Sequence, residues 1–179
     1  MNKVFYGFLF IFLDINLRFN AHSLNLLPDW VGYLLLIYGF NELRVQSDCF
    51  VKAKPLSVAM AIYTGVLWLL DIFAVNVEYG GFIGWAVALV PVIVSFYISY
   101  LVVRGIGDIE ANRAIDLQYE RLMKVWMIHA AATIATYILI LIPPLAIISL
   151  IVSFVSALVF LVFFNGTRKA YNQRFGYYR

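Results

Sequence analysis

The chain has 179 residues, of which 64% are hydrophobic and only 13% are charged, and its formal net charge is +3. A soluble domain is about half apolar and about a quarter charged, so this composition argues against a soluble protein and indicates lipid as the solvent. The single cysteine excludes an internal disulfide, and the two distant histidines give no pattern of metal ligands, so we expect neither metal nor cofactor.

Six apolar segments approach or reach the length of about 20 residues that a helix needs to cross a bilayer core. They are Lys3–Phe19, Pro28–Val45, Pro55–Val77, Phe82–Arg104, Leu122–Ile142 and Pro144–Asn165. The first two are short and polar at their ends, so a re-entrant course for one of them stays open. The first segment has no small-x-small cleavage pattern behind it, so we expect it to be retained rather than removed as a signal peptide.

These segments predict an all-α membrane protein, a six-transmembrane-helix bundle formed by residues 1–165. Residues 166–179 are predicted to be a basic, aromatic cytoplasmic tail. A weak repeat, Leu13-Asp14-Ile15 and Leu70-Asp71-Ile72, suggests three tandem helical hairpins. With the N-terminus cytoplasmic, twelve of the thirteen Lys and Arg residues fall on the cytoplasmic side and only Arg18 falls outside. This asymmetry predicts a cell-membrane protein with both termini cytoplasmic.

Charged side chains inside apolar segments are the main candidates for function, because each costs ~2.5–3.5 kcal/mol at the centre of a spanning helix. Asp14 and Arg18 lie four residues apart, which on one helix allows a direct pair, whereas Asp71 has no basic partner in its own segment. Asp29 falls in the first turn of the second segment, where it acts either as a helix-terminal charge or as a ligand contact. The predicted outer cluster is Asp14, Asn16, Arg18, Asp29 and Asp71.

Three interpretations of this outer cluster remain open. It is a buried ion-pair network that fixes the bundle, a binding or translocation site open to the outside, or a catalytic pair of carboxylates. The first two are favoured, because the aspartate motifs of intramembrane proteases are absent, and we expect no enzymatic activity.

Small and hydroxyl-bearing residues recur at a spacing of three or four in the later segments, as they do where membrane helices pack closely. Two stripes are His129, Thr133 and Thr136 in the fifth segment, and Ser149, Ser153 and Ser156 in the sixth. They indicate packing seams or, alternatively, a path for a solute. His129 is expected to hydrogen-bond to a neighbouring helix.

The cytoplasmic connections are longer and charged. Residues 105–121 carry acidic and basic residues at helical spacing, which predicts a solvated helix that continues a span or, alternatively, a docking site for a membrane-protein partner. The tail mixes basic and aromatic residues, which favours contact with the lipid bilayer and its anionic lipids over nucleic acid.

The segment Leu27-Pro28-Asp29-Trp30-Val31-Gly32-Tyr33 resembles a motif in small, uncharacterised multi-span membrane proteins of Gram-positive bacteria. Those proteins carry L-P-D-x-x-G-Y after an Asp-bearing first span, and the resemblance covers about the first hairpin and implies no known activity. The architecture is also similar to the membrane-embedded substrate-binding subunits of energy-coupling-factor vitamin importers. The leading hypothesis is binding or translocation of a small solute or lipid, and the alternative is an accessory subunit of a membrane complex.

Overall fold

The computed structural model describes residues 1–12, 16–19, 22–25, 28–73, 81–139 and 142–175. Within these ranges the chain is all-α in class, with six helices and one short strand pair. In order, the elements are α1 (Asn2–Phe12), β1 (Asn16–Phe19), β2 (His22–Asn25), α2 (Asp29–Leu43), α3 (Asp48–Ile72), α4 (Gly81–Arg113), α5 (Tyr119–Ile138) and α6 (Pro143–Phe175). They divide into two compact units, residues 1–102 and 103–179, which we call unit 1 and unit 2.

Three helical stretches of the described chain are long and apolar enough to cross a membrane: Asp48–Leu70, Leu89–Arg113 and Pro143–Phe175. The surface of α6 shows why lipid suits them. Its aliphatic side chains are widely exposed, among them Val162 at 71% and Ile148 at 57%. A soluble protein rarely leaves so continuous an apolar face uncovered, whereas acyl chains solvate it at no cost.

The first helix is shorter than the sequence predicts. It ends at Phe12, and Asn16–Phe19 form a strand that pairs antiparallel with β2, with Asn16 opposite Asn25. The predicted helix from Lys3 to Phe19 is therefore wrong, and so is a pair between Asp14 and Arg18 on one helix face. Short polar side chains such as asparagine compete with helical backbone bonds, which favours a turn and hairpin here.

The third helix begins earlier than predicted, at Asp48 instead of Pro55. The hydroxyl of Ser47 accepts a hydrogen bond from the backbone N–H of Cys49 at 3.1 Å, so it satisfies one of the orphan donors of the first turn. Once started, the helix continues through Pro55, which removes one backbone bond without ending the helix.

The later helices run beyond their apolar segments. The fourth helix continues to Arg113 and α5 begins at Tyr119, which confirms the helix expected within residues 105–121. The sixth helix starts at Pro143 and continues to Phe175. Proline suits this position, because a backbone N–H in the first turn would have no partner within the helix. Most of the predicted tail is therefore a continuation of α6.

Helices α1 and α2 pack at backbone distance along a glycine seam. A Cβ atom built on Gly7 would lie 2.8 Å from the carbonyl oxygen of Gly32, and one built on Gly32 would lie 2.8 Å from the carbonyl oxygen of Gly7. Gly39 faces Val4 with equally little room. Small residues at such contacts let membrane helices approach closely, so these glycines set the geometry of the first hairpin.

A salt bridge joins the opposite end of the same hairpin. The ammonium of Lys3, near the start of α1, lies 2.7 Å from the carboxylate of Glu42 at the end of α2. The same ammonium lies 5.6 Å from the centre of the Tyr38 ring. This salt bridge therefore lies at the end predicted to be cytoplasmic, whereas Asp29 lies at the opposite end of α2.

Candidate functional site

The predicted outer end of unit 1 is where α2 begins. Pro28 has an extended backbone, and Asp29 is the first helical residue, half-buried in the first turn. A carboxylate there interacts favourably with the partial positive charge of the helix N-terminus. This geometry agrees with Asp29 as a helix-terminal charge and leaves its predicted ligand contact untested.

Trp30 seats this end of α2 against α3. A Cβ built on Gly65 would lie 3.7 Å from the Cβ of Trp30. The Trp30 ring lies 5.8 Å from the ring of Trp68, with 57° between the two planes. The indole Nε1 is buried and donates to no acceptor among the residues that the structure describes. A buried donor without an acceptor is costly, so this N–H favours a partner that offers an acceptor.

One turn further along α2, the buried Tyr33 connects this helix to α4. Its hydroxyl shares a hydrogen bond of 2.5 Å with the hydroxyl of Ser95. Ser95 lies on α4, so its hydroxyl faces another helix. The bond connects α2 to α4 within unit 1.

The five predicted site residues fall on three elements of unit 1. Asn16 and Arg18 lie on β1, Asp29 starts α2, and Asp71 is the last residue but one of α3. All of Asp14, and the side chains of Asn16, Arg18 and Asp71, lie outside the described part of the structure. The predicted cluster is therefore neither assembled nor excluded, and it stays a prediction.

Helix lengths set the relative depth of these elements. The first helix has 11 residues and α2 has 15, so they extend about 16 Å and 22 Å at helical rise, against about 37 Å for the 25 residues of α3. Strand β2 contacts α3. From Gly65, which faces Trp30, α3 continues about 9 Å to Asp71. Helix α3 and the strand pair of β1 and β2 thus extend beyond the start of α2.

In unit 2, the two polar stripes predicted from the sequence meet along the contact between α5 and α6. Nδ1 of the buried His129 lies 3.0 Å from the carbonyl oxygen of Ser153, and the Thr133 and Ser153 hydroxyls are 2.6 Å apart. The hydroxyl of Thr136 donates to that of Ser149 at 3.0 Å. The prediction that His129 bonds to a neighbouring helix is confirmed.

This hydroxyl seam contributes to the stability of unit 2, and Thr133→Val tests its strength. The substitution keeps the side-chain shape and removes the bond to Ser153. We expect it to lower the free energy of unfolding by about 1 kcal/mol, the usual scale for hydrogen bonds between helices in lipid. Denaturant titration in detergent, followed by circular dichroism, measures the change.

Thr64→Val is the matched control, because the Thr64 hydroxyl donates to the carbonyl of Met60 in its own helix at 2.8 Å. It should change stability by only a few tenths of a kcal/mol. Equal losses in the two variants would mean that the contact between α5 and α6 adds nothing to the seam.

Comparison with protein-family profiles, with characterised proteins and with solved structures gives no significant match to this chain. Among the described residues, no group of three or more His, Cys, Asp or Glu side chains is placed to hold a metal ion. The sequence marks Asp29 as a candidate site residue but not the indole N–H of Trp30. Only the adjacency of Trp30 to Asp29, at the start of an apolar helix, indicated that Trp30 could belong to the site.

Proposed function

We propose that the chain is a six-span protein of the cell membrane, with both termini in the cytoplasm. We further propose that unit 1 binds or translocates a small polar solute or a lipid head group at its outer end. The site comprises Asp14, Asn16, Arg18, Asp29 and Asp71, as predicted from the sequence, and we add Trp30. The lopsided distribution of Lys and Arg supports the orientation.

The shortness of the first helical hairpin is the observation that carries this proposal. A bilayer core is about 30 Å thick, and the extents of α1 and α2, about 16 Å and 22 Å, both fall short of it. If their charged end lies at the cytoplasmic surface, where Lys3 meets Glu42, the strand pair lies at the depth of the outer leaflet. Non-helical backbone at that depth is tolerated only where protein covers it or where it lines a water-filled cavity.

The residues around this hairpin favour a polar recess over a sealed contact. The strands carry Asn16, Arg18 and His22, Asp29 begins α2, and Asp71 is the last residue but one of α3. The buried indole N–H of Trp30 has no acceptor among the residues that the structure describes. A solute or head group that offers a hydrogen-bond acceptor together with charge matches this set of groups.

An accessory role in a membrane complex is the second candidate, and the seam of unit 2 favours it. There the hydroxyls of α5 bond directly to those of α6, so they serve helix packing and leave no polar path along this contact. We propose no enzymatic activity, since neither candidate function requires bond-breaking chemistry.

Trp30→Phe tests the binding site, because it keeps an aromatic ring packed against α3 and deletes only the buried N–H donor. The full chain, purified in mild detergent, is extracted, and retained solutes and lipids are quantified by untargeted mass spectrometry. We expect the wild type to retain one compound at near one per chain. Retention in Trp30→Phe should fall about fivefold, the effect of one hydrogen bond.

Trp126→Phe, which removes an indole N–H from unit 2, is the control and should retain the compound fully. Asp29→Asn separates charge from shape, and we expect it to reduce retention as well. If no compound is enriched on the wild type, or if Trp30→Phe retains it as well as Trp126→Phe does, the accessory role becomes the better account.

A further inference from the structure

Hydrogen bonds and buried side chains join the cytoplasmic ends of the three helices of unit 2. The carboxylate of Glu110 on α4 accepts backbone N–H bonds from Leu117 at 2.7 Å and from Tyr119 at 3.1 Å. The buried hydroxyl of Thr167 on α6 donates to the carbonyl of Leu117 at 2.7 Å. Leu117 is fully buried, as is Phe164 on α6. The backbones of these helix ends are therefore joined to one another.

The charges of unit 2 gather at this end. Residues 125–165 contain no Asp, Glu, Lys or Arg, whereas the segments on either side carry seven basic and four acidic residues up to residue 175. The basic residues, which we call the basic cap, are Arg104, Arg113, Arg121, Lys124, Arg168, Lys169 and Arg174. All except Arg168 are exposed, and Arg168 is half-buried.

The acidic residues of the same end offset this charge only in part. Glu110 binds the backbone at the start of α5, and a carboxylate oxygen of Asp116 accepts the N–H of Gln118 at 2.8 Å. The seven basic residues outnumber the four acidic ones, Asp108, Glu110, Asp116 and Glu120, by three. The outward-facing charge of the basic cap is therefore predominantly positive.

Helix α6 gives the depth of this cap. Its apolar stretch, residues 144–165, extends about 33 Å and so fills a bilayer core. Lys169 follows about 6 Å beyond Asn165, which is within the head-group layer of about 5–7 Å on each side of the core. Further along, the guanidinium of Arg113 lies 5.7 Å from the centre of the Phe175 ring, which holds α4 beside the end of α6.

We propose that the basic cap binds anionic lipid head groups, of the phosphatidylglycerol class, in the cytoplasmic leaflet. Orientation in the membrane requires only that basic residues be present in a loop. Here they stand on three interlocked helix ends at or just beyond the head-group layer, where a Lys or Arg within about a Debye length of the surface attracts anionic lipid. This proposal depends on the orientation proposed above and not on the binding site of unit 1.

Lipid titration of the full chain tests the basic cap. The protein in detergent is titrated with phosphatidylglycerol and, separately, with phosphatidylcholine, and lipid-bound species are counted by native mass spectrometry. The variant carries Lys169→Gln and Arg174→Gln, both at exposed positions. We expect its affinity for phosphatidylglycerol to fall roughly thirtyfold, with no change for phosphatidylcholine.

Arg44→Gln with Lys52→Gln is the matched control, because it removes two exposed basic side chains from the same predicted side of unit 1. Its affinity for phosphatidylglycerol should stay within threefold of the wild type. An unchanged affinity in the cap variant overturns the proposal. So does an equal loss in the control, which would indicate a general effect of charge.

The orientation is tested separately by Lys169→Cys in a Cys49→Ser background. A membrane-impermeant maleimide should label this cysteine only after intact cells are permeabilised. Labelling of intact cells would overturn the placement in the cytoplasmic leaflet, whatever the lipid affinity. Neither the lipid affinity nor the maleimide labelling depends on the compound retained by unit 1. Failure of the binding site proposed for unit 1 is therefore distinguishable from failure of the basic cap.

Discussion

Gly32→Ala should destabilise the first hairpin by about 3 kcal/mol, near the upper end of the range for overpacked contacts. Its new methyl group would lie 2.8 Å from the carbonyl oxygen of Gly7, a backbone atom that cannot rotate away. The helices must then separate along the whole seam, including the contact between Gly39 and Val4. Denaturant titration in detergent, with helix content as the signal, measures the loss.

Gly166→Ala is the matched control. Nothing lies within 4 Å of a Cβ at that position of α6, and alanine is the better helix former by up to about 1 kcal/mol. We therefore expect a neutral or slightly stabilising effect. A Gly32→Ala protein as stable as the wild type would show that α1 and α2 are not in backbone contact.

Glu110→Ala should cost unit 2 about 3 kcal/mol, because each hydrogen bond from a backbone N–H to a carboxylate contributes about 1.5–3 kcal/mol. The substitution leaves the N–H groups of Leu117 and Tyr119 without the acceptor that now holds the start of α5. Glu110→Gln keeps an acceptor oxygen without the charge and should lose about half as much. Thermal unfolding of the full chain, followed by circular dichroism, gives the ranking.

Glu120→Ala serves as the control, since Glu120 is exposed in the first turn of α5 and interacts there mainly with the helix dipole. It should cost less than about 1 kcal/mol. If Glu120→Ala destabilises the protein as much as Glu110→Ala does, then charge at the helix start matters more than the two bonds. That result would also weaken the fixed geometry argued for the basic cap.

Long apolar helices were predictable from the sequence because their signal is a sum over many residues. The predicted start of the sixth segment, Pro144, is one residue from the observed start of α6 at Pro143. The stripes of α5 and α6 follow from helical spacing. The structure pairs these stripes, with Thr133 against Ser153. Spacing located each stripe but could not say that the two face each other, which needs the relative rotation of the two helices.

The first hairpin was harder to predict because competing local preferences are nearly balanced there. An apolar run from Val4 continues past Phe12, so hydropathy favours helix where the chain forms a strand pair. The acceptor bonds of Glu110 were equally hidden, since their donors lie seven and nine residues away across a turn.

Composition and the lengths of the apolar segments thus indicate lipid as the solvent of this chain and helices as its main elements, because transfer energies add over residues regardless of their arrangement. Which end carries the basic residues is likewise written in the order of the chain. Tertiary structure alone decides that Gly7 meets Gly32, that Glu110 holds the start of α5, and that the indole of Trp30 is buried against α3. These contacts depend on distances of a few ångströms between separate segments, which no sum over single residues contains.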